Sequence, residues 1–306
     1  MLISLTVLFS LLALVFCLPA GSSPRPLVLW HGLAGDSYAS SGMLEFASMI
    51  EDMHPSIFVH SVYLDEDLDK DQRAGFYGNV DEQIAFAAVQ LAAIPELQDG
   101  FDAIGFSQGG QFLRAYVERY NSPPVRNLIT FGAQHFGISD IPACRSYDVL
   151  CQIARRTAKA SVYSEWAQHN LVQAQYYRDP THYEQYCAAN YFLTSINNEI
   201  PESRNDTYKE NFASLENLVL VLFTEDETVI PKESSWFEDK QTSLSATAIE
   251  KKIVHMHEQP LYIEDWIGLR SLDEGGKVNL TTCTGKHMHI ADCWEDIVRE
   301  FVGAPL

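Results

Sequence analysis

FDAIGFSQGG, residues 101–110, begins as an apolar run and ends with a serine set among glycines. Such a stretch is either a flexible loop or a turn that is too tight for ordinary side chains. Its first six residues predict a strand and residues 108–120 predict a helix, so Ser107 would lie on a sharp strand-to-helix turn. A side chain at Gly105 or Gly109 would collide there with adjacent elements. We therefore predict that Ser107 occupies a strained backbone position and acts as a nucleophile.

Short apolar runs alternate with amphipathic stretches along most of the chain. Further strands are predicted over residues 25–32, 56–64, 125–134 and 215–227, and further helices over residues 42–53 and 79–97. Strands that alternate with helices predict an α/β fold with a mostly parallel central sheet and helices on both faces. The charged run at residues 65–72 is expected to be a solvated loop.

This alternation breaks between Gly137 and Leu215, where the composition becomes helical and rich in aromatic residues. We predict that a helical cap, inserted over about residues 138–214, covers the ends of the strands. The alternative is an ordinary run of core helices. The aromatic residues of this segment include Trp166, Tyr176, Tyr177, Tyr183, Tyr186, Tyr191 and Phe192.

A serine on such a turn resembles the nucleophile of the α/β-hydrolase fold, in which an acid and then a histidine follow along the chain. Residues 215–227 supply a late strand that ends in three acids, of which Asp226 is selected as the partner of the histidine. His287 lies on a loop near the C terminus and is selected as the base over His289. Ser107, Asp226 and His287 are thus expected to form a catalytic triad.

An oxyanion would need two backbone amides beside the serine. The amide of Gln108 lies at the positive end of the helix that follows Ser107, which favours it as the first donor. The second should come from the loop after the first strand, where Leu33 follows a His-Gly pair. His31 is an alternative catalytic base, but it precedes the serine in the chain.

The formal net charge of −20 over 306 residues argues against nucleic acid and anionic membrane surfaces as partners. Residues 1–22 are apolar and then small and polar, which is typical of a secretory signal peptide, with a membrane anchor as the alternative. Residues 23–306 would form a single domain, and no later segment is long and apolar enough to cross a bilayer. Sequons at Asn205 and Asn279 are consistent with a glycoprotein of the secretory pathway.

An exported protein is expected to form disulfides. We predict a Cys144–Cys151 pair that closes a short loop and a second pair, Cys283–Cys293, which leaves Cys187 free or intermolecular. The cysteine spacings do not resemble a zinc site, so no metal is expected. The predicted triad chemistry also needs no cofactor.

Taken together, these motifs resemble the lysosomal palmitoyl-protein thioesterases from about Pro26 to the C terminus. The segments that carry the resemblance are LVLWHGLAGDS, GFSQGGQFLRAYVERYNSPPVRNLITFGAQHFGI, LVQAQYYRDP, TEDETVIPKESSWF and GKHMHI. The resemblance implies Ser107 as nucleophile, Asp226 as acid, His287 as base, and Leu33 and Gln108 as oxyanion donors. The cysteines that flank the base are not part of the pattern we associate with the family.

The resemblance also implies the substrate and the destination of the protein. It implies hydrolysis of long-chain fatty acyl thioesters on S-acylated proteins and acyl-CoA-like molecules, in the lysosome or after secretion. It further implies that CRSYDVLC, residues 144–151, is a disulfide loop and that Asn205 is glycosylated. Two other hypotheses are a secreted lipase or carboxylesterase that acts on oxygen esters, and a lumenal lipid-binding protein with an inactive hydrolase site.

Overall fold

The computed structural model describes residues 23–33, 36–140, 158–240 and 252–305. Six strands form its central sheet, and each neighbouring pair is parallel. Together with two short strands outside the sheet, they are, in chain order, β1 (Leu27–Trp30), β2 (Val59–Ser61), β3 (Phe101–Phe106), β4 (Val125–Phe131), β5 (Asn217–Phe223), β6 (Asp239–Lys240), β7 (Ile253–Val254) and β8 (Val278–Cys283). The sheet order is β2-β1-β3-β4-β5-β8, while β6 and β7 form a separate antiparallel pair.

Helices lie between the strands of the sheet, and one more follows the last strand. They are α1 (Ser41–Met53), α2 (Leu68–Ala74), α3 (Val80–Ala92), α4 (Gln108–Arg119), α5 (Glu165–Asn170), α6 (Val172–Gln175), α7 (Tyr183–Ala189), α8 (Phe192–Ile196), α9 (Asp206–Ala213), α10 (Pro260–Ile263), α11 (Leu269–Glu274) and α12 (Trp294–Phe301). Short 3₁₀ turns occur at Pro95–Leu97, Pro201–Ser203, Lys232–Trp236 and Met256–Glu258. None of the helices in the described ranges is both long and apolar enough to cross a membrane.

The sheet separates two apolar clusters because successive residues of a strand point to opposite faces. Val28 and Trp30 of β1 pack into the cluster that contains the apolar residues of α3 and α4. Leu27 and Leu29 pack into the cluster that contains those of α1 and α12. Helices therefore cover both faces of a parallel sheet, and the predicted fold class is confirmed.

Local sequence signals explain several of the element boundaries. The side chain of Asn79 accepts hydrogen bonds from the backbone amides of Asp81 and Glu82, so it caps α3 at the start of the predicted helix. The helix ends at Ala92, three residues before Pro95, rather than running to residue 97. Between β4 and β5 the described residues form α5 to α9, so the segment that was expected to form a cap is helical. Residues 141–157 of that segment lie outside the described residues.

Two further features of the structure were not predicted from the sequence. Residues 65–72 are not simply a solvated loop, because α2 begins at Leu68, is capped by the Asp67 side chain, and contains the fully buried Asp71. Strand β8 was not predicted from the sequence. Its residues, VNLTTC, are partly polar because it is an edge strand that pairs only with β5 among the described residues.

Candidate active site

Ser107 lies on the turn between β3 and α4, with φ 52° and ψ −121°. A Cβ at Gly105 would lie 2.3 Å from the Cα of Gly110, and one at Gly109 would lie 2.4 Å from the carbonyl oxygens of His31 and Trp30. These distances are impossible for a real side chain, so the turn requires glycine at both positions. The tight packing holds the serine in a backbone conformation that non-glycine residues rarely adopt.

His287 contacts both predicted partners. Its Nε2 lies 3.0 Å from the Oγ of Ser107, and its Nδ1 lies 2.6 Å from the Oδ2 of Asp226. Because an ionised carboxylate only accepts hydrogen bonds, Nδ1 carries the proton and Nε2 is free to accept one from the serine hydroxyl. The structure thus brings together the three side chains that sequence analysis selected.

Asp226 is held in place by its own hydrogen bonds. Its Oδ1 accepts from the backbone amides of Thr228 at 2.8 Å and Val229 at 3.0 Å. The carboxylate is buried, whereas the flanking Glu225 and Glu227 are exposed. Of the three consecutive acids, Asp226 is therefore the one whose orientation is fixed toward the imidazole.

The loops that carry Asp226 and His287 are adjacent because β5 and β8 pair in register. Phe223 and Cys283, the last residues of these strands, lie opposite each other. Just beyond them, the amide of Glu225 donates to the carbonyl of Gly285 at 2.8 Å. The carboxyl ends of neighbouring parallel strands thus place the acid and the imidazole at the same edge of the sheet.

Both predicted oxyanion donors lie next to Ser107. Gln108 is the first residue of α4, so the helix offers no partner for its backbone N–H. The loop after β1 passes close by, because a Cβ at Gly32 would lie 3.2 Å from the Cβ of Ser107. Leu33 follows in that loop and lines the same cavity as Ser107. Both residues that were predicted as oxyanion donors therefore lie close to Ser107 in the chain or in the same cavity.

His31 stabilises the loop that carries Leu33. Its Nδ1 lies 2.8 Å from the carbonyl oxygen of Gly32, and its Nε2 lies 3.0 Å from the Oδ2 of Asp71. A trans peptide points its C=O and N–H in opposite directions, so fixing the Gly32 carbonyl also fixes the N–H of Leu33. In this structure His31 supports the loop, while His287 is the imidazole in contact with Ser107.

Charge and burial act in opposite directions on the His31–Asp71 pair. Burial by itself lowers the pKa of His31, but the contact with Asp71 and the bond to Gly32 raise it above its ordinary value of 6.5. Burial by itself raises the pKa of Asp71, but His31 and the amides of Leu64 and Tyr38 lower it below 3.8. Asp71 was not predicted from the sequence, since a run of acidic residues gives no sign of which one is buried.

An apolar cavity of about 810 Å³ opens beside the serine and the imidazole. Met43 and Phe46 of α1, Val162 of the cap segment, and Met288 and Ile290 after His287 form part of its wall. Of the seven aromatic residues noted in the cap segment, Tyr176 and Tyr177 line this cavity, whereas Trp166 and Tyr191 are exposed. An apolar cavity of this size, lined in part by Ser107 and His287, is suited to a long hydrocarbon chain.

The sequence analysis also predicted disulfide partners and a signal segment. Cys283 and Cys293 are joined by a disulfide, and Cys187 is a free, half-buried thiol. Cys144, Cys151 and the proposed signal segment lie outside the described residues.

The two sequons differ in exposure. Asn205 is exposed at the start of α9, and Asn279 is half-buried on β8. No cluster of metal-ligating side chains occurs in the described ranges.

Comparison with known proteins places these features in a family context. A family model described as palmitoyl protein thioesterase matches residues 26–287. Palmitoyl-protein thioesterase 1 of Caenorhabditis elegans is 40% identical over 265 residues, which are 87% of this chain and 87% of that relative. Palmitoyl-protein thioesterase 3 of Dictyostelium discoideum is 35% identical over 94% of this chain and 93% of its own length. A Drosophila melanogaster relative named as a lysosomal thioesterase is 25% identical over 95% of this chain and 96% of its own length.

Proposed function

The chain belongs to the palmitoyl-protein thioesterase family, and we propose that it hydrolyses long-chain fatty acyl thioesters of S-acylated proteins through an acyl-enzyme on Ser107. The observation that supports this most strongly is the 3.0 Å contact between Ser107 Oγ and His287 Nε2, at the wall of an apolar cavity. A hydroxyl is a weak nucleophile unless a base takes its proton, and the imidazole is positioned to do so.

The first half of the reaction forms the acyl-enzyme. His287 Nε2 takes the proton of Ser107 as Oγ attacks the carbonyl carbon of the thioester, and the amides of Leu33 and Gln108 donate to the resulting oxyanion. When the intermediate collapses, the carbon–sulfur bond breaks and the leaving sulfur takes the proton from Nε2. Asp226 orients the imidazole throughout and stabilises its charged form.

The second half releases the fatty acid. His287 takes a proton from water, the hydroxide attacks the ester carbonyl on Ser107, and the same two amides stabilise the new oxyanion. Collapse of the intermediate returns the proton from Nε2 to Ser107 Oγ. The products are a thiol and a fatty acid, and the enzyme is regenerated without a cofactor.

The cavity supports a long acyl chain as the substrate group. Each methylene moved from water into an apolar site contributes about 0.8 kcal/mol. The affinity should therefore increase with chain length until the cavity of about 810 Å³ is filled. The fatty acyl chain would lie against Met43, Phe46 and Val162, with its carbonyl at Ser107.

Paired assays with one acyl chain test the proposal. A palmitoyl thioester and a palmitoyl oxygen ester are given to the parent enzyme and to the Ser107→Ala variant. The proposal predicts a higher kcat/KM for the thioester and no hydrolysis by the variant. Faster turnover of the oxygen ester would indicate a lipase or carboxylesterase, and an inactive parent would indicate a lipid-binding protein.

We also propose that residues 1–22 are a signal peptide and that the mature domain, residues 23–306, reaches the lysosome or the cell exterior. The exposed sequon at Asn205 and a relative named as a lysosomal thioesterase support this destination. Glycans at Asn205 and Asn279 and a Cys144–Cys151 disulfide belong to the same proposal. Peptide mapping of the protein from a eukaryotic host, before and after glycosidase treatment, tests all of these features.

A further inference from the structure

A disulfide closes the loop that carries His287. Cys283 is the last residue of β8, Cys293 immediately precedes α12, and their sulfurs are bonded. We call residues 284–292 between them the base loop. The bond spans ten positions in the chain, and His287 lies near the middle of the ring that it closes.

The two halves of the base loop are held in different ways. At its start, Gly285 accepts a hydrogen bond from the amide of Glu225 and donates one to the Oγ1 of Thr224 at 3.1 Å. From residue 286 to 292, in contrast, all backbone hydrogen bonds in the described structure stay within residues 286–294. The second half is therefore attached to the rest of the protein through side chains, α12 and the disulfide.

The backbone next to His287 also needs external support. Met288 has φ 66°, in the left-handed region that a residue with a side chain rarely occupies. Such a conformation persists when the surrounding structure enforces it. Met288 and Ile290 pack against the apolar cluster that contains Cys283 and α12, so the disulfide joins the two elements on which this backbone rests.

We propose that the Cys283–Cys293 disulfide is a positioning element for the catalytic base. It holds the base loop so that His287 stays within hydrogen-bonding distance of Ser107 and Asp226. The inference rests on the proposed function, because it assigns the disulfide an effect on turnover through His287. The disulfide also makes the enzyme sensitive to dithiols, because catalysis declines when reduction releases the base loop.

Reduction would proceed by thiol–disulfide exchange. Cys283 is fully buried and Cys293 is half-buried, so a dithiol thiolate attacks the sulfur of Cys293 and Cys283 leaves as a thiolate. The second thiol of the reagent then closes the reagent's own disulfide and releases Cys293. Two electrons pass from the reagent to the cysteine pair, and each cysteine takes up a proton.

The test compares the parent enzyme with the double variant Cys283→Ala/Cys293→Ala at a temperature where both are folded by circular dichroism. Displacement of a catalytic group by about 1 Å costs about 100-fold in rate. We expect kcat for a palmitoyl thioester to fall by about 10- to 100-fold in the double variant. Cys187→Ala, which removes the free thiol, is the matched control and should keep the parent rate.

Treatment with a dithiol provides the same measurement without substitution. The parent should fall to the activity of the double variant and recover when it is reoxidised, while the double variant should not change. If the double variant does not fold, the dithiol treatment still tests the proposal. The activity of the parent can then be measured while the folded, oxidised protein is reduced.

A third arm separates positioning of His287 from general destabilisation. Groups that act as a unit have non-additive effects on the rate. If the disulfide acts through His287, the double cysteine change should therefore lower kcat only slightly in a His287→Ala background. The inference is overturned if the double variant retains more than half of the parent kcat, or if the cysteine changes cause the same fractional loss with and without His287. Either result leaves the proposed function intact, because the inactivity of Ser107→Ala is measured separately.

Discussion

His31 and Asp71 form a buried ion pair beneath the loop that bears Leu33, with 3.0 Å between His31 Nε2 and Asp71 Oδ2. Asp71 also accepts hydrogen bonds from the amides of Leu64 at 2.7 Å and Tyr38 at 2.9 Å. One carboxylate thus connects α2, the end of β2 and the loop that follows Leu33. Asp71 therefore supports the loop that carries Leu33, the predicted oxyanion donor.

The pair should make stability depend on pH. The pKa of His31 is raised above 6.5, so its contribution is fully present below pH 6.5 and is lost as the pH rises through the folded-state pKa. The pKa of Asp71 is lowered below 3.8, so its contribution is present above pH 3.8 and is lost as the pH falls through the folded-state pKa. The pair therefore stabilises the fold most between about pH 4 and 6.5.

Asp71→Asn should lower the free energy of unfolding by about 3 kcal/mol at pH 5, because it removes one partner of a buried ion pair. The loss should decrease from pH 5 to pH 8, because His31 in the parent loses its charge as the pH rises through its raised pKa. Urea unfolding at both pH values measures the difference. Asp69→Asn, on the exposed side of α2, is the control and should change stability by less than about 0.5 kcal/mol. Equal losses for Asp71→Asn at pH 5 and pH 8 would contradict the assigned ion pair.

Asp226→Asn should reduce kcat by about 10⁴-fold, because an amide no longer holds His287 in the tautomer that accepts the serine proton. The fold should be retained, since the amide oxygen can still accept from Thr228 and Val229. Thioester turnover and thermal unfolding are measured together. The exposed Glu227 is the control, and Glu227→Gln should retain the parent rate. A larger loss for Glu227→Gln would show that the wrong acid was selected.

His287→Ala should reduce kcat by at least about 10⁴-fold, since the serine then has no base. His289→Ala should stay within about twofold of the parent, because His289 is exposed and lies outside the relay from Asp226 to Ser107. Single-turnover release of the thiol measures both variants. A reversed order of the two losses would move the base to residue 289.

Gly109→Ala should destabilise the protein by about 3 kcal/mol, because the new methyl group would press on the carbonyl oxygens of Trp30 and His31. No change of rotamer relieves a clash at Cβ. Gly42→Ala is the control for stability: apart from its own helix backbone and chain neighbours, no atom of the described residues lies within 4 Å of the added carbon, and alanine favours the helix by about 0.5–1 kcal/mol. Thermal unfolding measures both, and a stable Gly109→Ala variant would contradict the described turn.

The parts of the fold that follow from local pattern were predictable from the sequence. The apolar runs of β1, β3, β4 and β5 and the spacing of α1, α3 and α4 are local signals, and they were enough to predict a parallel sheet with helices on both faces. Strand β8 was missed because it is a short, partly polar edge strand in which only the last residue, Cys283, is buried.

The residues of the site that were predictable are those whose order along the chain the fold determines. The turn at Ser107, the acid after β5 and a late histidine have positions that the fold requires. The burial of Asp71 depends instead on contacts with His31, Leu64 and Tyr38, which the local composition does not reveal. Likewise, Trp166 is exposed while Tyr176 lines the cavity, because tertiary packing decides which aromatic residue of this segment is exposed and which lines the cavity.

In the proposed mechanism, His287 makes the hydroxyl of Ser107 nucleophilic. Peptide mapping by mass spectrometry, after reaction with a long-chain fluorophosphonate, tests this in the parent and in His287→Ala. We expect one covalent adduct, on the peptide that contains Ser107, formed quickly in the parent and at least about 100-fold more slowly in the variant. An adduct on a different residue, or labelling at the same rate in the two proteins, would contradict it.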